Sequence, residues 1–170
     1  MGKVNIKDKA PHFKLESYNA GTIDLAELIG KQKIVLIFSR YFGCPICQLD
    51  LKSLMERFPE IEEKGSRIVY ITQSGEEIAK EFIENEDIPF PVLPSSRDKL
   101  YKDYGLGMMN LAAVSKVAGK KRAAKKAGIE HGEYEGWELQ SPGQFIINEE
   151  GIIIHAKKGW LDLDSLLKDL

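Results

Sequence analysis

Ile34-Val35-Leu36-Ile37-Phe38-Ser39-Arg40-Tyr41-Phe42-Gly43-Cys44-Pro45-Ile46-Cys47 changes character partway along. Its first five residues are an unbroken apolar run rich in β-branched side chains. That pattern predicts a strand buried on both faces, at the centre of a sheet. Beyond the turn the period becomes helical. Cys47, Leu51, Leu54, Met55 and Phe58 fall at i, i+4, i+7, i+8 and i+11, one stripe of an amphipathic helix. The turn between strand and helix carries both cysteines of the chain.

That position sets their chemistry. Pro45 suits the first helical turn, where its fixed φ fits and its missing N–H would have had no intrahelical partner. Cys44 is then the N-cap, facing unpaired backbone N–H groups and the positive end of the helix dipole, both of which favour thiolate. Such a site lowers a cysteine pKa from about 8.5 into the range of roughly 3.5–7.5. Cys47 follows one turn later on the same face, within reach for a disulfide, and belongs to the apolar stripe. The pair divides into an attacking and a resolving sulfur. Two other readings stay open, an inert buried pair and half of a zinc site. Against zinc, His12, His131 and His155 stand singly with no ligand spacing.

At 170 residues, 43% hydrophobic and 29% charged, the chain fits one globular domain over residues 1–170. A net charge of −2 gives no global pull toward nucleic acid or anionic membrane. No apolar run approaches the ~20 residues that span a bilayer, and no apolar stretch follows the polar start. The expectation is a cytoplasmic protein with neither signal peptide nor membrane anchor. In a reducing cytosol a lone Cys-x-x-Cys is catalytic or metal-binding rather than a staple.

Upstream, Phe13 and Leu15 alternate before a turn at Asn19 to Gly21, and Thr22 and Ile23 follow, which predicts an edge hairpin. Asp24 caps a short helix to Ile29, and Gly30 ends it. The Cys44 helix is expected to stop at Pro59, before a second buried strand, Arg67 to Thr72. Ser74 and Glu77 have capping-box spacing for the next helix. Ile88 to Pro94 is too proline-rich for a central strand. Ser96 is placed to cap a helix from Arg97 to Tyr104. From Gly107 to Gly136 comes an inserted helical arm, with Met108, Leu111, Ala112, Ser115 and Ala118 at helical spacing. Its basic end, Lys120, Lys121, Arg122, Lys125 and Lys126, fits a solvated face, with an acidic partner, membrane or nucleic acid as the functional alternatives. Gln144 to Asn148 and Ile152 to Ala156 form a hairpin turned at Gly151. Asp162 caps a closing helix with Leu163, Leu166, Leu167 and Leu170 in one stripe. His12 and His155 are expected to be an exposed edge residue and a sheet-face residue.

Collected, the elements run β-α-β and then β-β-α, an α/β order that resembles the thioredoxin fold. That fold is a central mixed sheet flanked by helices, here with an N-terminal hairpin extension and a helical insert at about 107–136. The resemblance implies a cis Pro142 packed against the cysteines. Ala10 to Leu15, Phe38 to Cys47, Pro89 to Leu93, Leu100 to Leu106 and Pro142 to Gly151 are together similar to the peroxiredoxin-like branch of the AhpC/TSA (redoxin) family. The family's usual Pro-x-x-x-Thr/Ser-x-x-Cys has Ile37 and Tyr41 at its proline and hydroxyl positions here. Tyr41 offers a phenolic hydroxyl in that place and Arg40 a positive charge. Cys-Pro-Ile-Cys itself resembles the dithiol motif of glutaredoxins, with Gly43 where thioredoxin carries tryptophan.

The chemistry this implies is two-electron thiol chemistry. Cys44 attacks a peroxide or a disulfide, and Cys47 resolves the product by closing a 44–47 disulfide. A thioredoxin- or glutathione-type reductant reopens it. No organic cofactor or metal is required, because sulfur carries both electrons. The alternatives are a dithiol–disulfide reductase without peroxidase activity and a non-enzymatic redox-sensing interaction module. A homodimer is among the assemblies the resemblance allows.

Overall fold

The computed structural model describes residues 4–170. In chain order its elements are β1 (Lys14–Glu16), β2 (Thr22–Asp24), α1 (Leu25–Leu28), β3 (Lys33–Phe38), α2 (Pro45–Glu63), β4 (Ser66–Thr72) and α3 (Glu76–Glu86). Then follow β5 (Val92–Pro94), α4 (Leu100–Asp103), α5 (Leu111–Lys126), β6 (Gly143–Ile147), β7 (Ile153–Lys158) and α6 (Leu163–Lys168). The apolar run at Ile34 to Phe38 forms the middle of a mixed five-stranded sheet, ordered β5-β4-β3-β6-β7. β3 pairs parallel with β4 and antiparallel with β6. Both of its faces are covered, as expected. Ile34, Leu36 and Phe38 join one core with β1, β2, α1 and α4, whereas Val35 and Ile37 join the other with α2, α3 and α6. Taking each of these large side chains out of water stabilises the fold by about 1.5–3 kcal/mol.

The N-terminal hairpin, the Asp24 cap, the proline-rich edge at β5, the β6–β7 hairpin and the Leu stripe of α6 all lie where the sequence puts them. Four local expectations do not hold. Helix α2 runs through Pro59 to Glu63. Proline removes one backbone bond there, but fully buried Ile61 anchors the last turn, and Arg57 reaches Glu60 at 2.8 Å across the gap. Ser74 does not cap α3, because its Oγ accepts the Phe42 N–H at 2.8 Å. Ser96 does not cap α4 either: residues 96–99 form a turn, and Ser95 Oγ accepts the Leu100 N–H. Finally, α5 is rotated from the expected stripe. Leu111 is 84% exposed, while Ala113 and Ala124 are buried, with Val117 and Lys120 half-buried between them. The small alanines let α5 lie close to the α2 side of the molecule, where Trp160 Nε1 donates to the Ala113 carbonyl at 2.9 Å.

Candidate active site

The turn after β3 is fixed from its own backbone outward. The Gln73 N–H donates to the Arg40 carbonyl at 2.8 Å, Ser74 Oγ holds the Phe42 N–H, and the Cys44 N–H returns to the Tyr41 carbonyl at 3.2 Å. This delivers Cys44 to the N-cap of α2 with extended backbone, φ −69° and ψ 119°, and Pro45 in the first turn. The Cys44 sulfur accepts the Cys47 N–H at 3.4 Å and Arg40 Nη1 at 3.5 Å. A hydrogen bond from the Cys47 thiol, against the opposing effect of burial, leads the forces that bring the Cys44 thiol down to about 7. The Arg40 charge and the N–H groups of Cys47 and Ile46 add to it. That lies inside the range expected for a helix N-cap thiol. Burial, reinforced by the neighbouring sulfur, pushes the Cys47 thiol well up. Both thiols are free and buried, and the division into an anionic and a protonated sulfur follows from these surroundings.

Arg40 is only 6% exposed. Burial opposes its charge, but the two sulfurs and Glu138 outweigh that. Its Nη2 meets Glu138 Oε1 at 2.8 Å and also donates to the Glu138 carbonyl. The guanidinium lies 5.3 Å from the Tyr41 ring centre and 5.7 Å from that of Trp160. Its Nε is buried and, among the described residues, has no hydrogen-bond partner. Tyr41 is fully buried and donates to the Glu138 carboxylate, with His131 Nε2 at 3.2 Å. Burial, then the Glu138 hydrogen bond, drive its phenol upward, so it stays protonated.

Glu138 and His131 belong to the stretch after α5, whose residues up to Gly136 are expected to continue the helical arm but leave it at Lys126. Residues 128–140, between α5 and β6, cross over the cysteine turn as a roof. The Gly132 N–H donates to the Gly43 carbonyl at 2.8 Å, Gln73 pairs with the Trp137 backbone in both directions, and the Gly75 N–H donates to Glu135. Gly43 is required by this contact, because a Cβ there would overlap the Glu133 carbonyl oxygen and come within 2.9 Å of its nitrogen. Under this cover Cys44 is only 2% exposed.

Pro142 lines one small cavity with Cys47 and Trp160. The expected cis bond is absent: among the described residues no peptide is cis, and Ser141–Pro142 is trans. The chain arrives at Pro142 already extended. Gln140 pairs antiparallel with Met108, and the Ser141 N–H donates to Gly107 O at 2.9 Å, so the common trans geometry leads straight into β6. The remaining histidines lie apart, His12 exposed beside Asp24 and His155 on β7 between Gln144 and Asp169. Among the described residues no three His, Cys, Asp or Glu side chains converge on a metal-sized site.

A mixed sheet in the order β5-β4-β3-β6-β7, with a Cys-x-x-Cys helix leaving its central strand, defines a thioredoxin-like fold. A reduced 2-Cys peroxiredoxin of Plasmodium vivax superposes with a TM-score of 0.70 at 15% identity, over 96% of this chain and 92% of its own. Residues 6–156 match the AhpC/TSA family model, and the chain belongs to that family. It is 30% identical over 108 residues to the thiol-disulfide oxidoreductase ResA of Bacillus cereus, a match covering 62% of this chain and 60% of that protein. It is likewise 30% identical over 112 residues to the putative peroxiredoxin bcp of Helicobacter pylori, over 64% of this chain and 73% of that one. No helix among the described residues is long and apolar enough to cross a membrane.

Proposed function

We propose that this protein is a thiol-dependent oxidoreductase of small oxidants, with hydroperoxides as the favoured substrates. The burial of Cys44 beneath its own chain carries the preference. A hydroperoxide needs to bring only one oxygen to the sulfur, whereas a protein disulfide must lay backbone along the turn where Gly132 already holds Gly43. Arg40 adds to the Cys47 hydrogen bond in favouring the anionic sulfur, and its Nε, unpartnered among the described residues, supplies an N–H for a substrate oxygen. Tyr41 occupies the place of the family's hydroxyl residue. The Cys44 thiolate attacks the outer peroxide oxygen and the O–O bond breaks. The departing alkoxide takes a proton and leaves as an alcohol, or as water from hydrogen peroxide. Cys47 then attacks the sulfenic sulfur, expelling water and closing the disulfide. A thioredoxin- or glutathione-type thiol returns two electrons, in a reducing compartment such as the cytoplasm. Pro142 shapes the wall behind Cys47.

The second reading is a dithiol–disulfide reductase. Cys-Pro-Ile-Cys, and Ile37 and Tyr41 in place of the usual proline and hydroxyl residue, favour it. Stopped-flow mixing of reduced protein with hydrogen peroxide and with an organic hydroperoxide separates the two. The Cys47→Ser variant traps the Cys44 sulfenic acid with a dimedone-type reagent. The expected rate exceeds that of free cysteine by at least about 100-fold, the lower range of what a positioned catalytic group contributes. A rate no better than free cysteine removes the peroxidase and leaves the reductase.

A further inference from the structure

The attack of Cys44 on a hydroperoxide leaves one proton to be found. The terminal oxygen goes to sulfur, and the other departs as an alkoxide or hydroxide, a poor leaving group unless a donor meets it. Arg40 keeps its protons, since the two sulfurs and Glu138 outweigh its burial. Tyr41 shares the buried cluster of Cys44, but burial and the Glu138 hydrogen bond hold its phenolic proton firmly. It can give that proton up only as another arrives.

The roof places a second proton behind the first. His131 Nε2 lies 3.2 Å from the Tyr41 hydroxyl oxygen, and His131 Nδ1 lies 2.6 Å from the Gly132 carbonyl oxygen. A carbonyl only accepts, so Nδ1 carries a hydrogen. The Tyr41 hydroxyl donates its one hydrogen to the Glu138 carboxylate, whose oxygens stand at 2.8 and 3.0 Å. Only lone pairs of the phenol oxygen then face Nε2, and that contact is a hydrogen bond when Nε2 carries a hydrogen as well. These partners assign a proton to each ring nitrogen. Glu138 accepts from Tyr41 and also pairs with Arg40, so it holds the array and does not feed it. Tyr134 stacks on the His131 ring with 4.1 Å between centres, and His131 is exposed to solvent.

We propose that His131 delivers the proton of the departing oxygen through the Tyr41 hydroxyl. The inference rests on the peroxidase reading above and adds the donor that its first step needs. As the O–O bond breaks, its electron pair stays on the departing oxygen and the terminal OH joins Cys44 as a sulfenic acid. The departing oxygen takes the Tyr41 proton, and Tyr41 takes the Nε2 proton of His131. A thiolate and a protonated histidine thus become a sulfenic acid and a neutral histidine, and the alcohol or water leaves. His131 regains its proton from solvent.

Hydrogen peroxide and peracetic acid separate this role from a structural one, because hydroxide needs a proton on departure and acetate does not. Stopped-flow rates of Cys44 oxidation are compared for the two oxidants. His131→Gln keeps an N–H for the phenol oxygen but cannot give it up. In that variant hydrogen peroxide should react roughly 100-fold more slowly, the lower range for losing a positioned acid, while peracetic acid and iodoacetamide stay within about twofold of wild type. Added imidazole should restore the peroxide rate of His131→Ala. In wild type, transfer to D2O should slow the peroxide reaction more than the peracid reaction. Equal slowing of both oxidants in His131→Gln, or a peroxide rate within twofold of wild type, overturns the proposal. So do equal solvent effects in wild type, a measurement that stands even if the variants fold poorly. A wild-type rate with hydrogen peroxide no better than that of free cysteine refutes instead the peroxidase reading on which the proposal rests.

Discussion

Replacing Arg40 by methionine removes the cation 3.5 Å from the Cys44 sulfur while keeping an apolar stem against Tyr41 and Trp160. A neighbouring opposite charge shifts a titration by about 1–3 units. The lower end applies here, because the Cys47 hydrogen bond, the leading stabiliser, and the helix N–H groups remain. The Cys44 midpoint should therefore rise by roughly one unit from about 7. At pH 7 the thiolate fraction then falls from about half to about a tenth. A more basic thiolate is also more nucleophilic, by roughly threefold per unit. With a neutral alkylating agent the variant should be about twofold slower than wild type at pH 7 and about threefold faster at pH 9.5, so the two profiles cross. With hydrogen peroxide no crossing is expected. Loss of the spare Nε donor costs about 1.5–3 kcal/mol, the worth of a charged hydrogen bond, and lowers the rate at every pH. The assay is thiolate absorbance at 240 nm with stopped-flow rates for both reagents. A midpoint within 0.3 unit of wild type would refute the assignment of Arg40. Crossing profiles with peroxide as well would confine it to tuning the sulfur.

Glu138→Gln breaks the ion pair to Arg40 and weakens the hold on Tyr41, so a bulky maleimide should label Cys44 several-fold faster while iodoacetamide barely changes. Because Glu138 is 50% exposed, the stability loss should stay below about 1 kcal/mol in a urea titration. Gly43→Ala pushes a methyl into the Glu133 backbone and should cost about 1–3 kcal/mol while raising proteolysis within residues 128–140. An unaltered cleavage pattern would mean that the roof does not rest on that glycine. Asp50→Asn, on α2, acts on stability through the burial of the acid. The folded carboxyl titrates near 6, above its ordinary 3.8, so its charged form is disfavoured in the fold. Wild-type stability is therefore lost as pH rises from about 4 to 6, by roughly 3 kcal/mol in all. The variant should match wild type near pH 4 and exceed it at pH 7. Parallel urea midpoints across that range would contradict the burial penalty.

What the sequence made legible follows the range of the forces involved. The central strand, the Cys44 cap and the Leu stripe of α6 are written in residues next to one another. Periodicity and capping chemistry therefore locate them. Ser74 misled for a related reason: its spacing to Glu77 suits a cap, but a partner 32 residues away competes for its oxygen. The rotated face of α5 reflects packing over propensity, since alanines permit a close approach that Leu111 would prevent. The roof reads only as the end of a helical arm, which in the structure stops at Lys126. Glu138 meets Arg40 across 98 positions, and nothing around Trp137 and Leu139 marks it as polar and functional. Pro142 sits beside Cys47 as the resemblance implied, but with a trans bond, because the pairing of Gln140 with Met108 that leads into it links residues 32 positions apart and left no local pattern.

The chain has two tryptophans, and the fold has sent them to different duties. Trp160 is buried among Cys44, Cys47 and Arg40, while Trp137 rides in the roof, with the Arg97 guanidinium 4.1 Å from its ring centre. Each indole therefore senses a different event. Light emitted by Trp160 should respond to a change at the sulfurs it packs against, and light emitted by Trp137 to a change in the packing of the roof. Silencing either one with phenylalanine leaves a single-channel optical gauge, so events at the sulfurs and events in the roof can be timed separately in one molecule without any attached dye.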